Sequence, residues 1–199
     1  MVAAGTVLSL VGAEVGRVWR RGSAPLPAET DHVLQAAELA VEETVLAARA
    51  GYQQAPEEAN ALFNLLSSFV VTFASARVVT YLLRGSGSYG PLRNMRVGHR
   101  HIHHFVPGIA LAFLSGAVAI CTRNQDIEPR LALVFGTGMG LTLDESALLL
   151  ELEDVYWSEE GMLSVQITLA VAALMGAVGL GVRFLRRGER LVLDDATAG

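Results

Sequence analysis

Residues 163–182 read LSVQITLAVAALMGAVGLGV and contain no charged side chain. A helix of about 20 apolar residues has the ~30 Å rise that crosses the hydrocarbon core of a bilayer. Together with its flanks, this stretch predicts a transmembrane helix over about 163–185. Three other apolar stretches predict similar helices over about 61–83, 105–122 and 131–150. The pattern indicates an all-α fold, a polytopic membrane helical bundle of about four transmembrane helices.

The composition agrees with a membrane protein. Charged residues make up 18% of the 199-residue chain and hydrophobic residues 52%, with a mean hydropathy of +0.41. A soluble domain usually carries about 25% charged residues. All 15 basic residues are arginine, which suggests a GC-rich bacterial genome, and the net charge of −5 gives no sign of a nucleic-acid partner. We expect a multi-pass protein of the bacterial cytoplasmic membrane, in contact with lipid.

The chain divides into an N-terminal helical region (1–58), a four-helix transmembrane domain (59–187) and a short polar tail (188–199). The first region predicts an interfacial helix that carries Trp19, followed by an amphipathic helix that Thr30 caps and Gly51 ends. The second helix should pack on the membrane domain, or on another copy of the chain, through an apolar face made of Leu34, Ala37, Val41, Val45 and Ala48.

Small residues in the last two predicted spans favour close helix contacts. Gly136 and Gly140 form a GxxxG pair, and Ala173, Ala177 and Gly181 form a stripe. These faces could also support a homo-oligomer. Four spans bring the 84–104 and 151–162 loops to one membrane face. Arginines are shared almost equally between the two faces, so they do not orient the chain.

Four histidines lie on that shared face, at positions 99, 101, 103 and 104. Because a residue before proline is biased away from helix, Val106 should be extended before Pro107, and the histidines should precede the helix in an extended stretch. Side chains alternate there, which places His101 and His103 together as metal ligands. His104 points away but remains a candidate ligand.

Carboxylates from the third span and its end complete the predicted metal site. Asp144 and Glu145 lie inside the span, Asp144 at a depth of ~9 Å, and buried acids at such depth are candidates for function. Glu151 shares a helix face with Asp144 and is a further ligand, while Glu145 and Asp154 are candidate catalytic bases. Arg77 lies at a similar depth from the same face, so an Arg77–Asp144 ion pair is the competing interpretation.

The motifs resemble those of a group of actinobacterial integral membrane proteins of unassigned function. The likeness is carried by an HxHH motif at 101–104 and by LTLDE at 141–145 and LEDVYW at 152–157, and it covers about 60–165. In those proteins an aromatic often follows the Asp-Glu pair, and a histidine can stand at the position of Glu151. The resemblance implies a membrane location with a polar centre, and no reaction.

Three functions fit this pattern. A divalent metal, zinc or else iron or manganese, could activate water for hydrolysis of a lipid or another amphiphile, with Glu145 or Asp154 as base. The histidines and acids could instead form a polar clasp that stiffens a non-enzymatic membrane protein. A small proton or metal transporter, with Asp144 as the relay carboxylate, is the third hypothesis.

Overall fold

Long apolar runs become helices wherever the structure describes the chain. The computed structural model describes residues 2–86, 96–97, 100–101, 105–122, 124–144 and 159–196. Within them are six helices, α1 (Val2–Arg21), α2 (Val33–Gln53), α3 (Glu57–Ser86), α4 (Phe105–Thr122), α5 (Glu128–Asp144) and α6 (Glu159–Ala196). Two short strands, β1 (Arg96–Val97) and β2 (Arg100–His101), pair antiparallel with Arg96 opposite His101. The all-α prediction is confirmed.

The described helices form two compact units. The first contains residues 1–59 and 178–199, and the second contains residues 60–177, so α6 contributes to both. The unit boundary after residue 59 falls next to the sequence-based boundary after residue 58. Residues 188–196 were expected in a polar tail, but they continue α6, and Gly188 and Glu189 are buried in the first unit.

A small apolar cluster and a close contact between two helices hold the first unit together. Val18, Ala47 and Leu185 form its buried cluster. A Cβ at Gly188 would overlap the carbonyl oxygen of Ala47 and lie 2.6 Å from the amide nitrogen of Gly51, so α2 and α6 touch backbone to backbone. Gly51 is a packing glycine inside α2, and the prediction that it ends the helix is wrong.

Two further expectations for α2 do not hold as stated. The expected packing face is wrong in part: the buried residues are Ala36, Ala40, Ala47 and Gly51, and Ala48 packs partly buried against the cluster as expected. Leu34 is 87% exposed, and Val41 and Val45 are more than half exposed. The helix begins at Val33 after His32, and the Thr30 hydroxyl accepts a 3.0 Å hydrogen bond from the His32 amide instead of capping the helix.

Glycines of α5 hold the second unit together. A Cβ at Gly140 would lie 2.9 Å from the carbonyl oxygen of Phe69 in α3, and one at Gly136 would overlap the carbonyl of Leu65. A Cβ at Gly138 would lie 2.6 Å from the amide nitrogen of Ala112 in α4. Glycine at these positions therefore lets α5 approach both helices. The Gly136–Gly140 pair, a GxxxG motif, makes the contact with α3.

Candidate polar site

An ion pair between a half-buried arginine and a buried aspartate joins α3 to α5 in the second unit. The Arg77 Nε lies 2.6 Å from Asp144 Oδ1, and the Asp144 side chain is only 5% exposed. Arg77 Nη2 also donates to the Asp144 carbonyl oxygen at 3.2 Å. Of the two partners proposed for Asp144 from the sequence, the structure shows the arginine.

Gln166 extends this pair to α6. Its side-chain oxygen accepts a hydrogen bond from Arg77 Nη2, and its Nε2 donates to the Leu143 carbonyl at 2.8 Å. The Gln166 residue is 3% exposed. We call Arg77, Asp144 and Gln166 the Arg77 cluster. It links three helices through one guanidinium, one carboxylate and one amide.

Phe73 supports the guanidinium from within α3. The Arg77 Cζ lies 5.3 Å from the centroid of the Phe73 ring, a cation–π distance. A planar guanidinium suits this role, because it can donate in several directions in one plane while its face stacks on a ring. The cation beside Asp144 also opposes electrostatically the approach of a second cation to that carboxylate.

Most of the predicted metal and catalytic residues lie outside the described part of the chain. These are His103, His104, Glu145, Glu151 and Asp154. Only the backbone of His101 is described, and it is extended in β2, as the sequence predicts. Among the side chains that the structure describes, no group of three His, Cys, Asp or Glu could hold a metal ion.

The expectation that Val106 is extended is wrong. Val106 lies in the first turn of α4, which begins at Phe105. Pro107 is therefore the third residue of that helix. The first turn tolerates proline because its amide groups have no partner within the helix.

A second cluster of charges, in the first unit, was missed by the sequence analysis. We call Glu14, Arg17, Arg21, Arg186 and Glu189 the α1–α6 charge cluster. Glu189 is 1% exposed and pairs with Arg17 and, at 3.1 Å, with Arg21. Glu14 pairs with Arg186 and, at 2.7 Å, with Arg17. Its only sequence signal was Glu14, a lone acid in an otherwise apolar segment.

The Arg186 guanidinium governs the titration of Glu14. Its hydrogen bond to the carboxylate lowers the pKa of Glu14, and the bond and charge of Arg17 act in the same direction. Burial raises this pKa but does not outweigh the arginines. Glu14 is thus held as an anion between two cations of different helices.

Two of the described helices are long and apolar enough to cross a membrane by length and composition. They contain the segments Glu57–Val79 and Val165–Val192, and the apolar segment Val106–Thr122 of α4 is shorter. Comparison of the chain with protein-family models, with curated proteins and with solved structures finds no match.

Proposed function

We propose that the protein is an integral membrane protein of four spans and that the Arg77 cluster serves as its structural clasp. In this proposal α3, α4, α5 and α6 cross the cytoplasmic membrane of a bacterium. The clasp fixes three of them in one arrangement without taking part in a reaction. The Arg77–Asp144 ion pair, with Asp144 almost fully buried, is the observation that carries the proposal.

Exposed apolar side chains support the membrane location. Only 11% of the apolar window in α3 and 17% of that in α6 is buried, which is unlike the core helix of a soluble protein. Val71, Phe113 and Ile120 are each at least 65% exposed. In a bilayer, lipid would cover these exposed apolar side chains.

The lengths of α4 and α5 support four spans. They contain 18 and 17 residues within the described chain. At 1.5 Å per residue these correspond to about 27 and 26 Å, close to the ~30 Å of hydrocarbon. Glu128, at the start of α5, would then lie near one membrane boundary, and Asp144 inside the span would be neutralised by Arg77.

Paired substitutions test the clasp. Removing one member of a fully buried ion pair costs about 3–5 kcal/mol, and the partial exposure of Arg77 lowers this figure here. Replacing both members with apolar residues of similar volume is often neutral. Arg77→Met and Asp144→Leu should each lower the unfolding temperature in detergent strongly, and the double variant should recover most of the loss. Two single effects that simply add in the double variant would contradict a clasp.

A metal-dependent hydrolase remains the second proposal, and the extended backbone of His101 is compatible with the alternation on which it depends. There His101 and His103 would hold zinc, iron or manganese with Glu145 or Glu151, and Asp154 would act as base. Metal analysis of the purified protein separates the two. Stoichiometric metal that His101→Ala/His103→Ala removes would support the hydrolase. If the Arg77→Met/Asp144→Leu variant also loses the metal, Asp144 takes part in metal binding as well as in the ion pair.

A further inference from the structure

We propose that the C-terminal part of α6 forms a binding surface for anionic phospholipid headgroups. The surface consists of Arg183, Arg186, Arg187 and Arg190, all exposed. They are spaced by three, four and seven residues, which places them on one face of the helix. The inference rests on the membrane location proposed above, but not on the role of the Arg77 cluster.

The opposite face of the same helix segment is the packed one. Phe184, Leu185, Gly188 and Glu189 are all buried in the first unit. Phe184 stacks edge-on against Tyr52 of α2, with ring centroids 5.6 Å apart. The side chains of Arg183, Arg187 and Arg190 are exposed, and Arg186 contacts Glu14 of α1 from the edge of the arginine face.

Arginines outnumber acids on this face. Glu189 lies on the packed face, and its carboxylate is already held by Arg17 and Arg21. Of the two acids that follow, Asp194 comes four residues after Arg190 and therefore falls on the arginine face, so four arginines stand there against one aspartate. Arg186 pairs with Glu14 at the edge of the face and keeps an exposed side chain. Among the side chains the structure describes, no carboxylate forms an ion pair with Arg183, Arg187 or Arg190.

The position of the surface indicates the kind of anion. The arginines follow directly after the apolar part of the candidate span Val165–Val192. Long arginine side chains at the end of a membrane helix reach the headgroup layer, and a guanidinium binds phosphate oxygens through two parallel hydrogen bonds. A cluster of basic residues attracts anionic lipids and not zwitterionic ones, whose own cation cancels the phosphate charge.

Binding of fluorescent phosphatidylglycerol to the full chain in a neutral detergent tests the inference, with phosphatidylcholine as the comparison lipid. Each arginine near an anionic surface contributes about fivefold in affinity, so Arg187→Gln/Arg190→Gln should weaken phosphatidylglycerol binding about 25-fold. The matched control is Arg49→Gln/Arg130→Gln, which removes the same charge from exposed arginines elsewhere. It should leave the affinity within about twofold, since the effect is local.

Arg187→Lys/Arg190→Lys keeps the charge, and it should retain most of the affinity if both variants fold. Equal losses in the test and control variants would overturn the inference, as would equal binding of the two lipids. Equal competition by inorganic phosphate would also overturn it, since that indicates a site for a free anion. If the protein stays in alkali-washed membranes but shows no preference for phosphatidylglycerol, the lipid-binding inference is wrong and the proposed membrane location is unaffected. Release of the protein from alkali-washed membranes would contradict the proposed membrane location.

Discussion

Gly188→Ala should destabilise the unit formed by α1, α2 and the end of α6. The added methyl carbon would overlap the Ala47 carbonyl oxygen and lie 2.6 Å from both the Ala47 carbonyl carbon and the Gly51 nitrogen. These neighbours are backbone atoms of α2, so no side-chain rotation can relieve the overlap. The two helices must move apart.

The expected size follows from that geometry. Ordinary contact of a Cβ begins at 3.4 Å, so α2 and α6 must separate by about 1 Å or more. Overpacking of this kind costs about 1–3 kcal/mol, and alanine regains about 1 kcal/mol through its higher helix propensity. Since backbone contacts place the cost at the upper end, we expect a net loss of about 2 kcal/mol, or about 5 °C in unfolding temperature for a chain of this length.

Gly179→Ala is the matched control on the same helix. A Cβ at Gly179 meets nothing within 4 Å, so the substitution should be neutral or slightly stabilising. Both variants are compared with the unaltered protein by thermal unfolding in one detergent. Hydrogen exchange should quicken in α2 of the Gly188→Ala variant while α4 and α5 stay unchanged. Equal unfolding temperatures for the two variants would refute the backbone contact.

Two further outcomes test the first unit. Because Arg186 lowers the pKa of Glu14, the stability from this pair is present above pH about 4.5 and is lost as the pH falls through the lower folded value. A plot of unfolding temperature from about pH 6 to pH 3 should therefore fall less steeply for Glu14→Gln, and identical slopes would count against the pairing. On α2, Ala40→Leu should destabilise by about 1–3 kcal/mol, because Ala40 is fully buried, while Val41→Ala should be nearly neutral; the reverse order would restore the face expected from the sequence.

Helix positions could be predicted because long apolar runs without proline or polar breaks in their interior favour continuous helices. The expected span over 105–122 coincides with α4, and the expected spans over 61–83 and 163–185 lie inside longer helices. Packing faces could not be predicted in the same way. On α2 the hydrophobic pattern favoured Leu34 and Val41, but close backbone approach selects small residues such as Ala40, whatever their hydrophobicity.

The candidate site was predictable only in part. Arg77 and Asp144 have opposite charges and similar predicted depths, so an ion pair could be proposed from the sequence beside the metal site. Gln166 carries no charge, and its partners include a main-chain carbonyl, so its role depends on how three helices meet. Glu14 and Arg186 are 172 positions apart in the chain, and no local spacing connects them.

The first unit is discontinuous in the chain, and this affects when it can form. Its α1 and α2 come from the first 59 residues, but their partner segment begins at Val178. During synthesis, which proceeds at about 5–20 residues per second, both N-terminal helices exist before that segment has been made. During this interval α6 is not yet present. The alanine and glycine face of α2 and the carboxylate of Glu14 therefore lack their packing partners. This unit can therefore assemble only after the C-terminal part of α6 has been synthesised.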